Sequence, residues 1–62
     1  MGYKIKEVRE AKNMTQEELS AASGVSRGTI SALENGTEKN TTSKTLLKIA
    51  NALGTTVDNI FA

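Results

Sequence analysis

The regular spacing of residues that end helices is the feature that most constrains this sequence. Asn13, Gly24, Gly36 and Gly54 each follow a stretch with the 3.6-residue periodicity of an α-helix, and strand-like alternation is almost absent. Asn and Gly tolerate the left-handed backbone conformation in which many helices end. The sequence therefore predicts five short helices rather than a sheet.

Polar residues stand where the N-caps of three of these helices are expected. Thr15 is followed three residues later by Glu18, which is the pattern of a capping box at the start of helix 2. Ser26 is expected to cap helix 3, and Thr56 is expected to cap a last turn over residues 57–61. These positions fix the order and approximate length of the predicted helices.

Apolar residues recur at helical spacing on the remaining segments. Helix 1 is predicted from about Tyr3 to Lys12 and helix 4 from about Ser43. The predicted core positions are Ile5 and Val8 of helix 1, Leu19 and Ala22 of helix 2, and Leu46, Ile49, Ala50 and Leu53 of helix 4. Helices this short are stable only when packed together. We therefore predict an all-α fold, a compact five-helix domain spanning residues 1–62.

The composition excludes most catalytic and metal-binding functions. Cys and His are both absent, so the ordinary ligands of zinc, haem and iron–sulfur clusters are missing, as are Cys–His and Ser–His catalytic pairs. The longest uncharged run, residues 49–57, is far shorter than the roughly 20 residues that a membrane-spanning helix needs. We expect an intracellular protein that is not an enzyme, with no cofactor, metal or membrane partner.

Helices 2 and 3 are separated by a short corner that contains a glycine. The connecting residues are Ser23, Gly24 and Val25, and a second helix held across the first by such a corner is the layout of a helix-turn-helix. The motif is predicted over about residues 16–35.

The outward face of predicted helix 3 is small and polar. An α-helix turns by about 100° per residue, and Ile30 and Leu33 are its inward-facing apolar residues. The opposite side then carries Gly28, Ser31, Ala32 and Asn35, with Arg27 and Thr29 at its edges. Such a surface is able to enter the major groove of DNA, where Arg pairs with guanine and small side chains allow close approach. An ordinary solvent-exposed helix face is the alternative interpretation.

Two local features favour a nucleic-acid partner. Gly28 stands in the first turn of helix 3, where it costs about 1 kcal/mol relative to Ala, and close approach of a partner would explain it. Lys44 and Lys48 are like charges four residues apart, and Lys44 lies at a helix start that disfavours a cation, so a nearby phosphate would relieve both penalties. A tolerated surface glycine is the alternative for Gly28.

The small positive charge of the chain is concentrated in one segment. Residues 27–48 hold four basic and two acidic side chains, whereas residues 1–26 hold four of each and residues 49–62 hold only Asp58. The excess thus falls on helix 3, the following loop and helix 4.

These motifs resemble the helix-turn-helix domain of the phage repressor and Cro group, the XRE family. The resemblance spans residues 5–61, nearly the whole chain, and its matching strings are residues 8–19, 23–36, 45–54 and 57–61, in the correct order. The resemblance implies a lambda-repressor-like fold and sequence-specific binding of double-stranded DNA. It also implies a repressor that occupies a palindromic operator with helix 3 in the major groove. Such a repressor is expected to be bacterial or phage-encoded, cytoplasmic and associated with the nucleoid.

The resemblance also implies roles for individual residues. The expected base-reading residues are Arg27, Gly28, Thr29, Ser31 and Ala32. The expected phosphate-contacting residues are Gln16, Ser26, Asn35, Lys39, Asn40, Thr41, Thr42 and Lys44. Gln16 is expected to contact the start of helix 3 as well, and Arg9 and Glu34 are expected to form a structural ion pair between helices 1 and 3.

The chain departs from the family pattern at two places. Ser20 stands where the family usually has Ala, and its hydroxyl is expected to bond back into helix 2. The loop after Gly36 lacks the usual proline and is about one residue longer, so the phosphate contacts there do not transfer one by one.

The expected partner is an operator bound by a homodimer, which forms at least on the DNA. Such a dimer is expected to use Val57, Ile60, Phe61 and the exposed part of helix 4, with a core role as the alternative for Phe61. The alternative function is a protein-interaction module, for example an antitoxin-like subunit or adaptor with the same fold.

Overall fold

The computed structural model describes residues 3–36 and 41–60. Within these residues the chain forms five α-helices and no β-strand, which confirms the all-α class. The helices are α1 (Ile5–Ala11), α2 (Gln16–Ser23), α3 (Arg27–Asn35), α4 (Ser43–Ala52) and α5 (Val57–Ile60).

The predicted helix ends adopt the left-handed conformation. Asn13 has a φ of 57°, and Gly24, Gly36 and Gly54 have φ values of 75°, 75° and 68°. Gly24 ends α2 by donating its backbone N–H to the Ser20 carbonyl at 2.9 Å. The change of direction after α2 therefore depends on a residue without a Cβ atom.

The predicted N-caps of α2 and α3 are confirmed. The Thr15 hydroxyl accepts from the Glu18 amide at 3.0 Å, and the Glu18 carboxylate accepts from the Thr15 amide at 2.8 Å, which confirms the capping box. Ser26 accepts from the amide of Thr29 at 3.2 Å and so caps α3. These bonds satisfy backbone donors that have no partner within the helix.

The core forms where the helical stripes meet. It consists of Ile5, Leu19, Val25, Ile30, Leu33, Leu46, Ile49, Ala50, Leu53 and Ile60. All four predicted positions of α4 are buried, and Val8 is half-buried against this cluster. The prediction for Ala22 is wrong, because Ala22 is exposed and Val25, in the turn after α2, is buried instead.

A backbone hydrogen bond joins the two ends of the helical domain. The Lys4 N–H donates to the Ile60 carbonyl at 2.6 Å, and α1 begins at Ile5 rather than at Tyr3. The Ile60 side chain has no exposed area. The short α5 is thus fastened against the start of α1, while α2 packs on both α3 and α4.

Candidate nucleic-acid interface

The turn between α2 and α3 is held by side chains of α2. Val25 is 7% exposed, its N–H donates to the Ser23 hydroxyl at 3.2 Å, and its carbonyl accepts from the Ser20 hydroxyl at 2.6 Å. The expectation that Ser20 bonds back into its own helix is therefore wrong, because the nearby Val25 carbonyl lies outside α2. Both backbone polar groups of Val25 are satisfied, which fixes the direction in which α3 leaves the turn.

The outer face of α3 is accessible. Ile30 and Leu33 have no exposed area and anchor the helix to the core. On the other side, Arg27, Gly28 and Asn35 are exposed, and Thr29, Ser31 and Ala32 are half-buried. We call these six residues the outer face of α3.

Gly28 faces open space. A Cβ atom built on this residue would meet no heavy atom within 4 Å. Its backbone is in α3 and does not have the positive φ of Gly24, Gly36 or Gly54. Neither the packing nor the conformation of the free domain therefore requires a glycine here, although Ala would be about 1 kcal/mol better for the helix.

Arg27 is in contact with a carboxylate of the neighbouring helix. Its Nη1 donates to Oε1 of Glu17 at 3.0 Å, and the two side chains are 61% and 74% exposed. Sequence reasoning missed Glu17 at this site, because the contact joins α2 to α3 and no local pattern marks it. The pair lies at the beginning of α3, in water, where an ion pair is easily broken.

Two hydroxyls of the outer face, those of Thr29 and Ser31, accept hydrogen bonds from neighbouring side chains. Ser26 donates its hydroxyl to the Thr29 hydroxyl at 2.8 Å, and the Asn35 amide donates to the Ser31 hydroxyl at 3.4 Å. The hydroxyls of Thr29 and Ser31 accept in these bonds, so their own O–H groups are suited to donate to a base or phosphate oxygen.

A nearly buried ion pair supports the motif from the inside. Arg9 Nε donates to Glu34 Oε2 at 2.8 Å, Nη2 donates to Oε1 at 3.2 Å, and Nη1 donates to the Met14 carbonyl at 2.8 Å. The side chains of Arg9 and Glu34 are 10% and 3% exposed. The hydrogen bond to Glu34 raises the pKa of Arg9 above its ordinary value, so the guanidinium remains charged. The structure thus brings α1 and α3 together at the expected pair.

Gln16 has a different intramolecular partner from the one expected. Its amide nitrogen donates to Glu34 Oε1 at 3.0 Å, near the end of α3 rather than at its start. Glu34 accepts both Gln16 and Arg9 because its nearly buried carboxylate has several lone pairs to satisfy. Gln16 is nevertheless half-exposed at the first position of α2.

Three of the expected phosphate-contacting residues, Thr41, Thr42 and Lys44, lie at the beginning of α4. The Thr42 hydroxyl caps α4 by accepting from the Thr45 amide at 3.2 Å, and Thr41 is half-buried beside it. Lys44 and Lys48 lie on the exposed side of α4. Lys39 and Asn40, which were also expected to contact phosphates, lie outside the described residues.

The two described residues of the expected α5 dimer contact, Val57 and Ile60, lie against or within the core. Ile60 is completely buried in the core, so the expectation that it contacts a partner is corrected. Val57 is half-buried against the core, and Phe61 lies outside the described residues. Among the described residues, the large apolar side chain most open to solvent is Leu47 on α4, which is 52% exposed.

Residues 3–36 and 41–60 contain neither a cluster of metal ligands nor a helix that could span a membrane. No group of three or more acidic side chains is placed to hold a metal ion. None of the helices there combines the length and apolar character required to cross a membrane.

Comparison with known proteins identifies the family of the chain. The helix-turn-helix family matches residues 5–60. Helix-turn-helix-type transcriptional regulators of Archaeoglobus fulgidus and Methanocaldococcus jannaschii are 44% and 41% identical over 61 residues. Each alignment covers 98% of this chain. The aligned part makes up 84% of the Archaeoglobus protein and 91% of the Methanocaldococcus protein. The regulator RghRB of Bacillus subtilis is 34% identical, again over 98% of this chain. RghRB is longer, and the chain spans only 44% of its length.

A solved structure has the same architecture. The crystal structure of the restriction-modification controller protein C.AhdI from Aeromonas hydrophila superposes with a TM-score of 0.86 at 33% identity. The superposition covers 94% of this chain and 86% of the controller protein. The chain therefore belongs to the helix-turn-helix family, and the expectation that it is a DNA-binding domain of XRE-type transcriptional regulators is confirmed.

Proposed function

We propose that this chain represses transcription by occupying a palindromic operator as a homodimer, with α3 in the major groove. The observation that carries the proposal is the outer face of α3, where Gly28 faces open space although the free domain has no need of a glycine. A helix in the major groove approaches the edges of the bases closely, which explains a position without a side chain.

Arg27 is the main candidate for direct readout on this surface. It is 61% exposed at the first position of α3, and recognition helices contact bases mainly through their N-terminal residues. Arg donates two hydrogen bonds to O6 and N7 of guanine. Thr29 and Ser31 lie beside it as hydroxyl donors, whereas Gly28 and Ala32 permit close approach and leave part of the recognition to DNA shape.

The phosphate contacts are proposed on both sides of α3. Gln16 and Ser26 precede α3 in the folded motif, and Asn35 ends it. Lys44 is exposed in the first turn of α4, next to Thr41 and Thr42. Lys39 and Asn40 complete the proposed set. Contacts of this kind set the register of the protein on DNA and carry no sequence information themselves.

The proposed dimer uses the exposed side of α4 together with α5. Leu47 is more than half exposed and Val57 keeps part of its side chain at the surface, so an apolar contact would remove both from water. A two-fold dimer on a palindromic operator would place the two copies of α3 roughly 34 Å apart, one turn of DNA.

The proposed role is binding without catalysis by a single domain over residues 1–62. The carboxylates of Glu17 and Glu34 are both bonded to arginines, as structural rather than catalytic carboxylates would be. A chromosomal or phage operator as the partner places this activity in the bacterial cytoplasm.

Selection of bound duplexes from a random DNA pool tests the proposal. Enrichment of an inverted repeat with half-sites about one DNA turn apart is the expected result. Failure to enrich any sequence, with the protein folded as judged by circular dichroism, would contradict sequence-specific recognition and would favour the protein-interaction module.

A further inference from the structure

We infer that Glu17 is a positioning residue for Arg27, which raises the preference of the domain for its operator over other DNA. This inference rests on the proposed function of α3. It concerns a carboxylate on α2 that none of the expected base or phosphate contacts includes.

The contact leaves a useful part of Arg27 exposed. The bond to Glu17 uses Nη1 at 3.0 Å, whereas Nε and Nη2 form the other edge of the planar guanidinium. That edge presents two N–H donors side by side, the arrangement that O6 and N7 of guanine accept. Arg27 is therefore able to read a guanine while Glu17 continues to hold it.

The position of Glu17 is itself fixed by the fold. It is the second residue of α2, and the positive end of the helix dipole favours a carboxylate there. Glu18, the other acidic residue of this turn, is already engaged in the capping box with Thr15. Glu17 is thus the carboxylate of this turn that reaches across to α3.

Binding to a phosphate is affected differently from binding to guanine. A phosphate must compete with the Glu17 carboxylate for the charge of Arg27, and the two anions repel each other. Sequence-independent binding depends on phosphate neutralisation, so Glu17 weakens it. Binding to the operator keeps its guanine contact. The ratio of operator affinity to affinity for other DNA rises as a result.

The test measures two dissociation constants for each variant, one with the duplex selected from the random pool and one with a scrambled duplex of equal length. Glu17→Gln keeps the size of the side chain and removes its charge. We expect scrambled DNA to be bound about two to five times more tightly, the range that an exposed ion pair accounts for. The operator affinity should stay unchanged, so that the ratio of operator affinity to scrambled-DNA affinity falls about two- to fivefold.

Two variants distinguish positioning from simple charge repulsion. Glu7→Gln removes another exposed carboxylate, on α1, and the affinity ratio of this variant should equal that of the unmodified protein. In an Arg27→Ala background, Glu17→Gln should leave the ratio unchanged, because the group that Glu17 positions is gone.

The outcomes separate this inference from the proposed function. A selected operator with an unchanged ratio in Glu17→Gln overturns the role of Glu17 alone, as does a fall in the ratio that persists in the Arg27→Ala background. Failure to select any operator contradicts the proposed function and this inference with it. Thermal unfolding of each variant, expected to match the unmodified protein, verifies that the exposed substitutions leave the fold intact.

Discussion

The guanidinium of Arg9 and the carboxylate of Glu34 are joined by two hydrogen bonds of 2.8 and 3.2 Å, at positions 10% and 3% exposed. This pair fixes α3 against α1. A third hydrogen bond of Arg9, to the Met14 carbonyl, also holds the loop before α2 in place. The orientation of the outer face of α3 is therefore set from the interior of the domain.

Replacing Arg9 should destabilise the fold strongly. Arg9→Met would leave the Glu34 carboxylate nearly buried without its counter-ion, at a cost of about 3–5 kcal/mol in the free energy of unfolding. For a domain of this size that is most of the expected stability. Urea unfolding followed by circular dichroism measures the effect.

A double variant provides the control for this pair. Arg9→Met combined with Glu34→Gln removes the uncompensated charge and keeps an oxygen for the Gln16 amide. Its free energy of unfolding should therefore exceed that of Arg9→Met alone by at least about 1 kcal/mol. If Arg9→Met alone lowered the free energy of unfolding by less than about 1 kcal/mol, the pair would not have the proposed structural role.

The pair should be insensitive to pH around neutrality. The pKa of Arg9 is raised by its hydrogen bond to Glu34, so the stabilisation is complete below the ordinary arginine pKa. The contribution that comes from the Arg9 charge is lost as the pH rises through the still higher pKa of Arg9 in the folded state.

Ser20→Ala tests the hydroxyl that holds the turn. The Val25 carbonyl would lose its 2.6 Å donor, and we expect a loss of about 0.5–1 kcal/mol, since the better helix propensity of Ala offsets part of the lost hydrogen bond. Thermal unfolding checks this, with Ala21→Ser as a control that adds a hydroxyl on the exposed side of α2. Equal or greater stability in Ser20→Ala would contradict the structural value of the bond.

The parts of the fold that were predicted correctly depend on neighbours in sequence. The stripe of Leu46, Ile49, Ala50 and Leu53 and the Thr15–Glu18 capping box are set within a few residues. Periodicity and side-chain chemistry suffice for such features. Local reasoning therefore predicted the helices and the outer face of α3.

The errors and omissions concern contacts between elements. Gln16 bonds to Glu34, 18 residues away, and Glu17 bonds to Arg27, ten residues away, because the angle between α2 and α3 brings these groups together. The order of residues does not reveal that angle. Burial of Ile60 is likewise decided by how α5 docks beside the start of α1.

Lys44→Ala should weaken binding to all DNA sequences similarly. Loss of one phosphate contact should reduce the slope of log K against log salt by about 0.9, and titrations at several salt concentrations measure it. Lys12→Ala is the matched control, because the Lys12 ammonium lies next to Gly54, on the side of the domain formed by α1 and the end of α4. Equal slopes for both variants would remove Lys44 from the proposed interface.

Leu47→Lys should weaken self-association without unfolding the domain. The side chain is 52% exposed, so the substitution adds charge to the surface and removes nothing from the core. Sedimentation across protein concentrations, alone and with the selected operator, should show the dimer weakened at least tenfold. Unchanged assembly, or a monomeric unmodified protein even on the operator, would contradict the proposed dimer surface.

Gly28→Ala tests most directly the central claim that the outer face of α3 enters the major groove. The added Cβ meets nothing within 4 Å, so the free domain should become more stable by about 1 kcal/mol. When α3 lies in close contact with DNA, the same methyl group should clash with the DNA. Unfolding free energy and operator affinity, measured on one preparation, should therefore change in opposite directions, with affinity lowered at least tenfold. A more stable variant that binds its operator as tightly as the unmodified protein would contradict the claim.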